Sequence, residues 1–365
     1  MKPFRLVSGV ALALLGVACA TPPPEPPAPP PPPASSPPAT SEATTVAASA
    51  PPPQVAAPEP LATPPVPQGA QTKRANICPG GKYAALPVTE TKAKLIKDGF
   101  VFVEGPVWSD QLGSLLFSEM DFNADGSNGP PSKIHLLSPE HEVFTFLDNS
   151  GSNGLGIDEK GLVAATHTPQ AVTRIDLATK QASRLVESIG GKKFNSPNDL
   201  AISSTGHIYF SDPDWQLGSR LNETGMTGVY WLEPGGKVSL VDGKLDKPNG
   251  VSLSPDDKTL YVGALDNTVW AYAVDKVGKP EKRRRFATVD GPDGMAMDCA
   301  GNLYVTSHGA GTIEVFDKAG KKLTSIEVAP KTTNAAFGGP DRKTLYITAG
   351  TGVYALPTQV SGYPF

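Results

Sequence analysis

The run KPNGVSLSPDDKTLYVGA, beginning at Lys247, joins a Pro–Asn–Gly step to two short apolar runs separated by a turn, and the chain repeats that pattern. The copies are EGPVWSDQLGSLLFSE from Glu104, NGLGIDEKGLVAATH from Asn153, NDLAISSTGHIYFSD from Asn198, NGVSLSPDDKTLYVGA from Asn249, DGMAMDCAGNLYVTSH from Asp293 and NAAFGGPDRKTLYITA from Asn334. Their starts lie 49, 45, 51, 44 and 41 residues apart. Each copy reads as a β-hairpin. Another strand pair follows most of them, as in SKIHLLSPEHEVFTFL and GTIEVFDKAGKKLTSIEV. Helical periodicity is nearly absent. Four-stranded units at a period of roughly 40–50 residues predict an all-β chain, a β-propeller with one unit per blade. Six copies predict six blades. The last copy runs out one strand short after GVYALP, and TKAKLIKDG near Lys92 is expected to supply that strand, closing the ring and removing its open edge.

In such a fold the first strand of each blade lines the central channel, and its first residue points at one mouth. Those residues are Glu104, Asn153, Asn198, Asn249, Asp293 and Asn334, all oxygen-bearing. Turn chemistry accounts for Asn or Asp before Gly, but not for Glu104. A ring of carboxylates and amides without Cys or His is chemistry for a hard cation, Ca²⁺ or Mg²⁺. We expect one divalent cation at this ring, calcium first, with zinc, manganese or magnesium as alternatives, and the ring residues that do not hold it, Asn153 and Asn334 among them, to contact substrate. The second strand of each hairpin returns to the same mouth, which adds His167 and His308 as substrate-binding candidates and places Glu119 and Asp212 one residue earlier in register.

The first 75 residues carry no fold of their own. Lys2 and Arg5 precede the apolar run Leu6 to Val17, too short to span a bilayer. With small residues up to Cys19 this is an export signal, and GVAC resembles a lipoprotein cleavage site with Cys19 lipidated. Residues 20–75 hold 20 of the 39 prolines between Pro22 and Pro67. Such chain cannot bury a core and stays stiff and extended, a disordered tether with a reach on the order of 100 Å. The propeller is assigned to 76–365. A net charge of −4 and a pI near 5.8 argue against nucleic acid. The only cysteines besides Cys19 are Cys78 and Cys299. In an exported chain they are expected to form a disulfide on the face opposite the cation. The protein is expected to be monomeric, outside the cytoplasm, and to touch a membrane only through its lipid.

EGPVW with LLFSE, NSPNDL, PNGVSLSPDDKTLYV, DGPDGMAMD and TTNAAFGGPDRKTLYIT resemble the SMP-30/gluconolactonase/LRE group from about Gly99 to Leu356. The resemblance implies a six-bladed propeller with one divalent cation in its channel, held by Glu104, Asn249 and Asp293, with Asn198 a ligand or a substrate contact. HTPQAVTR is similar to a gluconolactonase stretch, supporting His167 and, less, Arg174. Some sugar-lactone hydrolases of the group carry Arg where this chain has Ser196, with Lys193 nearby, which puts sugar specificity in question. The implied activity is metal-dependent opening of a lactone by water, with Asp293 as general base and His167 or His308 as alternates. A phosphotriesterase and a non-catalytic binding propeller on a stalk are the competing readings.

Overall fold

The structure, a computed structural model, describes Cys78 and residues 80–363. The export signal, Cys19 and the proline-rich tether lie outside the described residues. Six four-stranded antiparallel sheets follow one another, each built from strands consecutive in sequence except the last. The inner strands are Val103–Ser109, Ser152–Asp158, Leu200–Ile202, Val251–Leu253, Pro292–Met297 and Thr332–Gly338. Each inner strand contacts its neighbour around the ring, and the first contacts the last. Blade six takes its outer strand, Lys94–Asp98, from the N-terminal side, where it pairs with Gly352–Pro357. The chain is thus a closed six-bladed β-propeller.

The strands are apolar on both faces because each sheet is covered by a blade on either side. The core accordingly divides into six clusters, one per blade–blade interface. Leu116, Ile134, Leu155 and Leu162 fill the space between blades one and two. Val103, Phe117 and Val353 fill the one between blades six and one. Outer strands are more exposed than inner ones, most of all Pro280–Thr288, where five consecutive residues from Glu281 to Arg285, all charged, face solvent. Charge on an edge discourages pairing with another chain.

Every inner strand carries a bulge at its mouth end, where two residues oppose one on the next strand. In blade three, Asn198 N–H donates to the Ser211 carbonyl and Ser211 N–H donates to that of Asp199. In blade four, Asn249 and Gly250 flank Gly263 in the same way. Register shifts lie between Glu104 and Val107, Ser152 and Leu155, Pro292 and Met295, and Thr332 and Asn334. The first bulge residues are therefore Glu104, Asn153, Asn198, Asn249, Asp293 and, in blade six, Thr333. Asn334 occupies the second position, one step deeper than the sequence alignment placed it. Four of the six second positions are glycine: Gly105, Gly154, Gly250 and Gly294. These glycines serve close packing, and Gly105 in addition takes a positive φ of 51°. A Cβ on Gly105 would lie 2.1 Å from the Asn153 carbonyl oxygen, and one on Gly250 would lie 1.9 Å from that of Asp293.

Candidate active site

At the bulged end of the channel lies a pocket of about 460 Å³ whose floor includes Glu104, Asn153, Asn198, Asn249 and Asp293, with His308 at its side. Five blades contribute those five residues. The bulge turns each side chain out of the strand ladder toward the channel axis. Apart from the half-buried His308, the group is buried or nearly so.

The electrostatics follow from that burial. The Asn249 amide donates to the Asp293 carboxylate, which leaves Asn249 Oδ1 buried without a partner. His308 Nδ1 stands 3.4 Å from Asp293 Oδ2. Burial, then the negative charges of Asp293 and Asp199, hold the Glu104 carboxyl well above the usual range. Burial and Asp199 do the same to Asp293. No Lys or Arg side chain lines the pocket to offset these charges. The donor set of two desolvated carboxylates, an orphaned amide oxygen and further asparagines suits a hard divalent cation. Nowhere among the described residues do three His, Cys, Asp or Glu side chains gather as a metal-ligand group. A cation here would depend on amide oxygens for half its protein ligands.

Sequence reasoning missed Asp199. Its Oδ2 accepts Val251 N–H at 3.0 Å and its Oδ1 accepts Leu200 N–H at 2.9 Å. The Asn334 amide donates to the same carboxylate, and burial pushes its pKa up to about 6. Asp199 and Asn334 share a smaller cavity, about 50 Å³, deeper in the channel. The candidate ligands meet in the larger pocket and not in this cavity. Asn334 lies below that floor. The signal for Asp199 was in the sequence, a polar side chain where most copies have glycine, whereas Asn334 joins it only through the register of the blade-six bulge.

His167 is also absent from the pocket lining. Its Nε2–H donates to the Pro130 carbonyl at 2.8 Å, and its own carbonyl accepts from Arg220 Nη1 at 2.6 Å. Two long loops cover it. Residues 121–131 of blade one and 213–227 of blade three meet above blade two, where Ser219 donates to the Ser127 carbonyl through both N–H and Oγ at 2.8 Å. Arg220 further binds the carbonyls of Leu217 and Gln216. This canopy brings Phe122, Trp215 and Gln216 to the pocket. The copy spacings of 49 and 51 are the two longest, and they mark these loops.

Other sequence candidates are structural in their contacts. Arg174 pairs with Asp158 at the opposite end of blade two. Ser196 is buried, donating from Oγ to the Pro213 carbonyl at 2.6 Å, and Lys193 is exposed. Glu119 accepts from Val101 N–H and contacts His135. Asp212 accepts the N–H groups of Asn195 and Ser196. Cys78 and Cys299 are disulfide-bonded with Cα atoms 5.3 Å apart, and Cys299 follows the far end of the blade-five inner strand.

The profile of the SMP-30/Gluconolactonase/LRE-like region matches residues 102–351. A gluconolactonase of Zymomonas mobilis is 33% identical over 313 residues, covering 76% of this chain and 84% of that protein. A pentonolactonase of Haloferax volcanii is 27% identical over 258 residues, covering 68% and 81%. A solved gluconolactonase structure from Xanthomonas campestris superposes with a TM-score of 0.64 at 29% identity, covering 77% of this chain and 98% of that one. With the profile spanning most of the propeller, the chain belongs to the SMP-30/gluconolactonase/LRE-like family.

Proposed function

We propose that this protein is a divalent-cation-dependent lactonase, with calcium the first choice of cation. The observation that carries the reading is the meeting of Glu104, Asn249 and Asp293 from three blades in one desolvated pocket with no Lys or Arg. The lactonases among its relatives support the reaction class. Glu104, Asn198, Asn249 and Asp293 would hold the cation, which supplies Lewis acidity toward an ester carbonyl when bound.

The remaining steps belong to side chains. Asn153 has both amide atoms buried and unpartnered at the pocket, so it can donate to or accept from the substrate. Its backbone is fixed, because Ser118 Oγ donates to the Asn153 carbonyl at 2.7 Å. Asp293 is the general base, taking a proton from the attacking water. The ring C–O bond then breaks, and the protonated Asp293 returns its proton to the departing alkoxide. His308, beside Asp293 Oδ2, orients that carboxylate. The product is a hydroxy acid. We also propose export and anchoring through Cys19, from the sequence signal.

The test uses the purified protein, a panel of lactones, aryl esters and phosphotriesters, and acid release as the readout. Lactone opening that stops with chelator and returns with Ca²⁺ supports the proposal. Turnover of phosphotriesters alone sinks the lactonase reading, and chelator-insensitive lactone opening sinks the cation.

A further inference from the structure

The pocket is polar at its floor and apolar at its rim. Phe122, Trp215 and Leu265 stand around the opening with 52%, 38% and 49% of their surface exposed. Phe102 packs edge-to-face on Phe122 at 5.3 Å between centroids, extending the apolar wall inward. Isolated exposed apolar residues are ordinary, but a contiguous group rimming a cleft marks a ligand site. Here the group is positioned by other contacts. The clasp between Ser219 and Ser127 joins the loops that carry Trp215 and Phe122. Gly218 is shaped to that clasp, since its φ is +63° and a Cβ there would lie 2.4 Å from the Ser127 carbonyl.

Charge narrows the ligand further. With Glu104 and Asp293 engaged by the candidate cation, Asp290 is the carboxylate that remains among the lining residues. The canopy guanidinium, Arg220, is committed to three backbone carbonyls. A phosphate, sulfonate or carboxylate substituent held away from the cation would therefore meet Asp290 and no Lys or Arg among the lining residues. Beyond the candidate cation ligands, the polar side chains of the lining are Asn153, Gln216, Asn267, Asp290 and His308. Asn267 Oδ1 already accepts Gly291 N–H at 2.9 Å, His308 stands against Asp293, and Asn153 and Gln216 Oε1 are buried without partners. The volume of about 460 Å³ lies in the range of about 300–1,000 Å³ that takes drug-sized ligands, more than one lactone ring fills.

We infer that the substrate is an uncharged lactone carrying an apolar substituent, its ester at the polar floor and its substituent against Phe102, Phe122, Trp215 and Leu265. The inference rests on the lactonase reading, and it separates from it in the test. Steady-state kcat/KM is measured for δ-valerolactone, a δ-lactone with a hexyl chain, gluconolactone and a sulfonated δ-lactone. Binding of 2-piperidone and its hexyl derivative, which are not hydrolysed, is measured by calorimetry in parallel. The hexyl lactone is expected to exceed both gluconolactone and the sulfonated lactone by at least about tenfold, as for apolar matching in a pocket. The hexyl-to-unsubstituted ratio is expected to fall about tenfold in Phe122→Ala and in Trp215→Ala, in turnover and in lactam binding alike. Preference for the hydroxylated or sulfonated ring overturns the inference. So does a ratio that both variants leave intact. If no lactone is opened, the lactonase reading fails, and the lactam ratio alone decides whether the rim selects apolar ligands.

Discussion

Asp199 Oδ2 accepts the backbone N–H of Val251 at 3.0 Å, tying blade three to blade four two residues beyond Asn249. One buried carboxylate thereby fixes the backbone on which two candidate ligands, Asn198 and Asn249, are carried. Asp199→Asn would turn an NH₂ toward at least one of the two N–H groups that the carboxylate now accepts. An unmet buried donor costs about 1–3 kcal/mol. We expect denaturant unfolding to show a loss of that size together with weaker Ca²⁺ binding by calorimetry. A variant as stable as the parent would show that the carboxylate is dispensable.

The two carboxylates at the pocket floor should separate by substitution. Asp293→Asn keeps an amide oxygen but no base, and kcat on a lactone is expected to fall about 10²–10⁴-fold. Glu104→Gln removes charge from the ligand set, so its rate should recover in part as Ca²⁺ is raised. Full rate in cation-saturated Asp293→Asn removes Asp293 from the base role.

His167 predicts a pH dependence. Burial, chiefly, lowers its pKa from 6.5 to about 4. A depressed imidazole pKa contributes stability that is complete above about pH 6.5 and is lost as pH falls toward 4. The shift corresponds to about 3 kcal/mol. Unfolding free energy measured from pH 8 to 4.5 should fall less steeply for His167→Gln than for the parent. Parallel curves would mean that His167 does not titrate in that window.

Gly250 tests the packing role of the bulge glycines. Its Cβ would fall 1.9 Å from the Asp293 carbonyl oxygen, whereas one on Gly235 would meet nothing within 4 Å. Gly250→Ala should destabilise by about 1–3 kcal/mol or more, as for other forced overpacking. Gly235→Ala should change stability little. Equal melting temperatures for the two variants would contradict this role.

The fold was legible because its information is local and repeated. Strand periodicity and turn residues recur in six copies spaced 41 to 51 residues apart, so a misread element in one copy is corrected by the others. Closure was legible too, since GVYALP lacked a partner and KLIKD could supply it. The shared polar start of each copy marked the channel mouth, and Glu104, Asn153, Asn198, Asn249, Asp293 and His308 line one pocket there. What needed the tertiary structure was anything set by a neighbour distant in sequence. A bulge shifts register by one residue, so Asn334 went below the floor and faces Asp199. His167 has the right register but sits beneath two loops that meet across blade two, a contact no local pattern encodes. The glycines after the ring residues looked like turn formers, yet it is the next blade, through a backbone carbonyl or the buried Asp199 and Asn334 side chains, that excludes a Cβ. Blade count and closure follow from patterns along the chain; the depth of each side chain in the channel was decided by how six sheets crowd around a common axis.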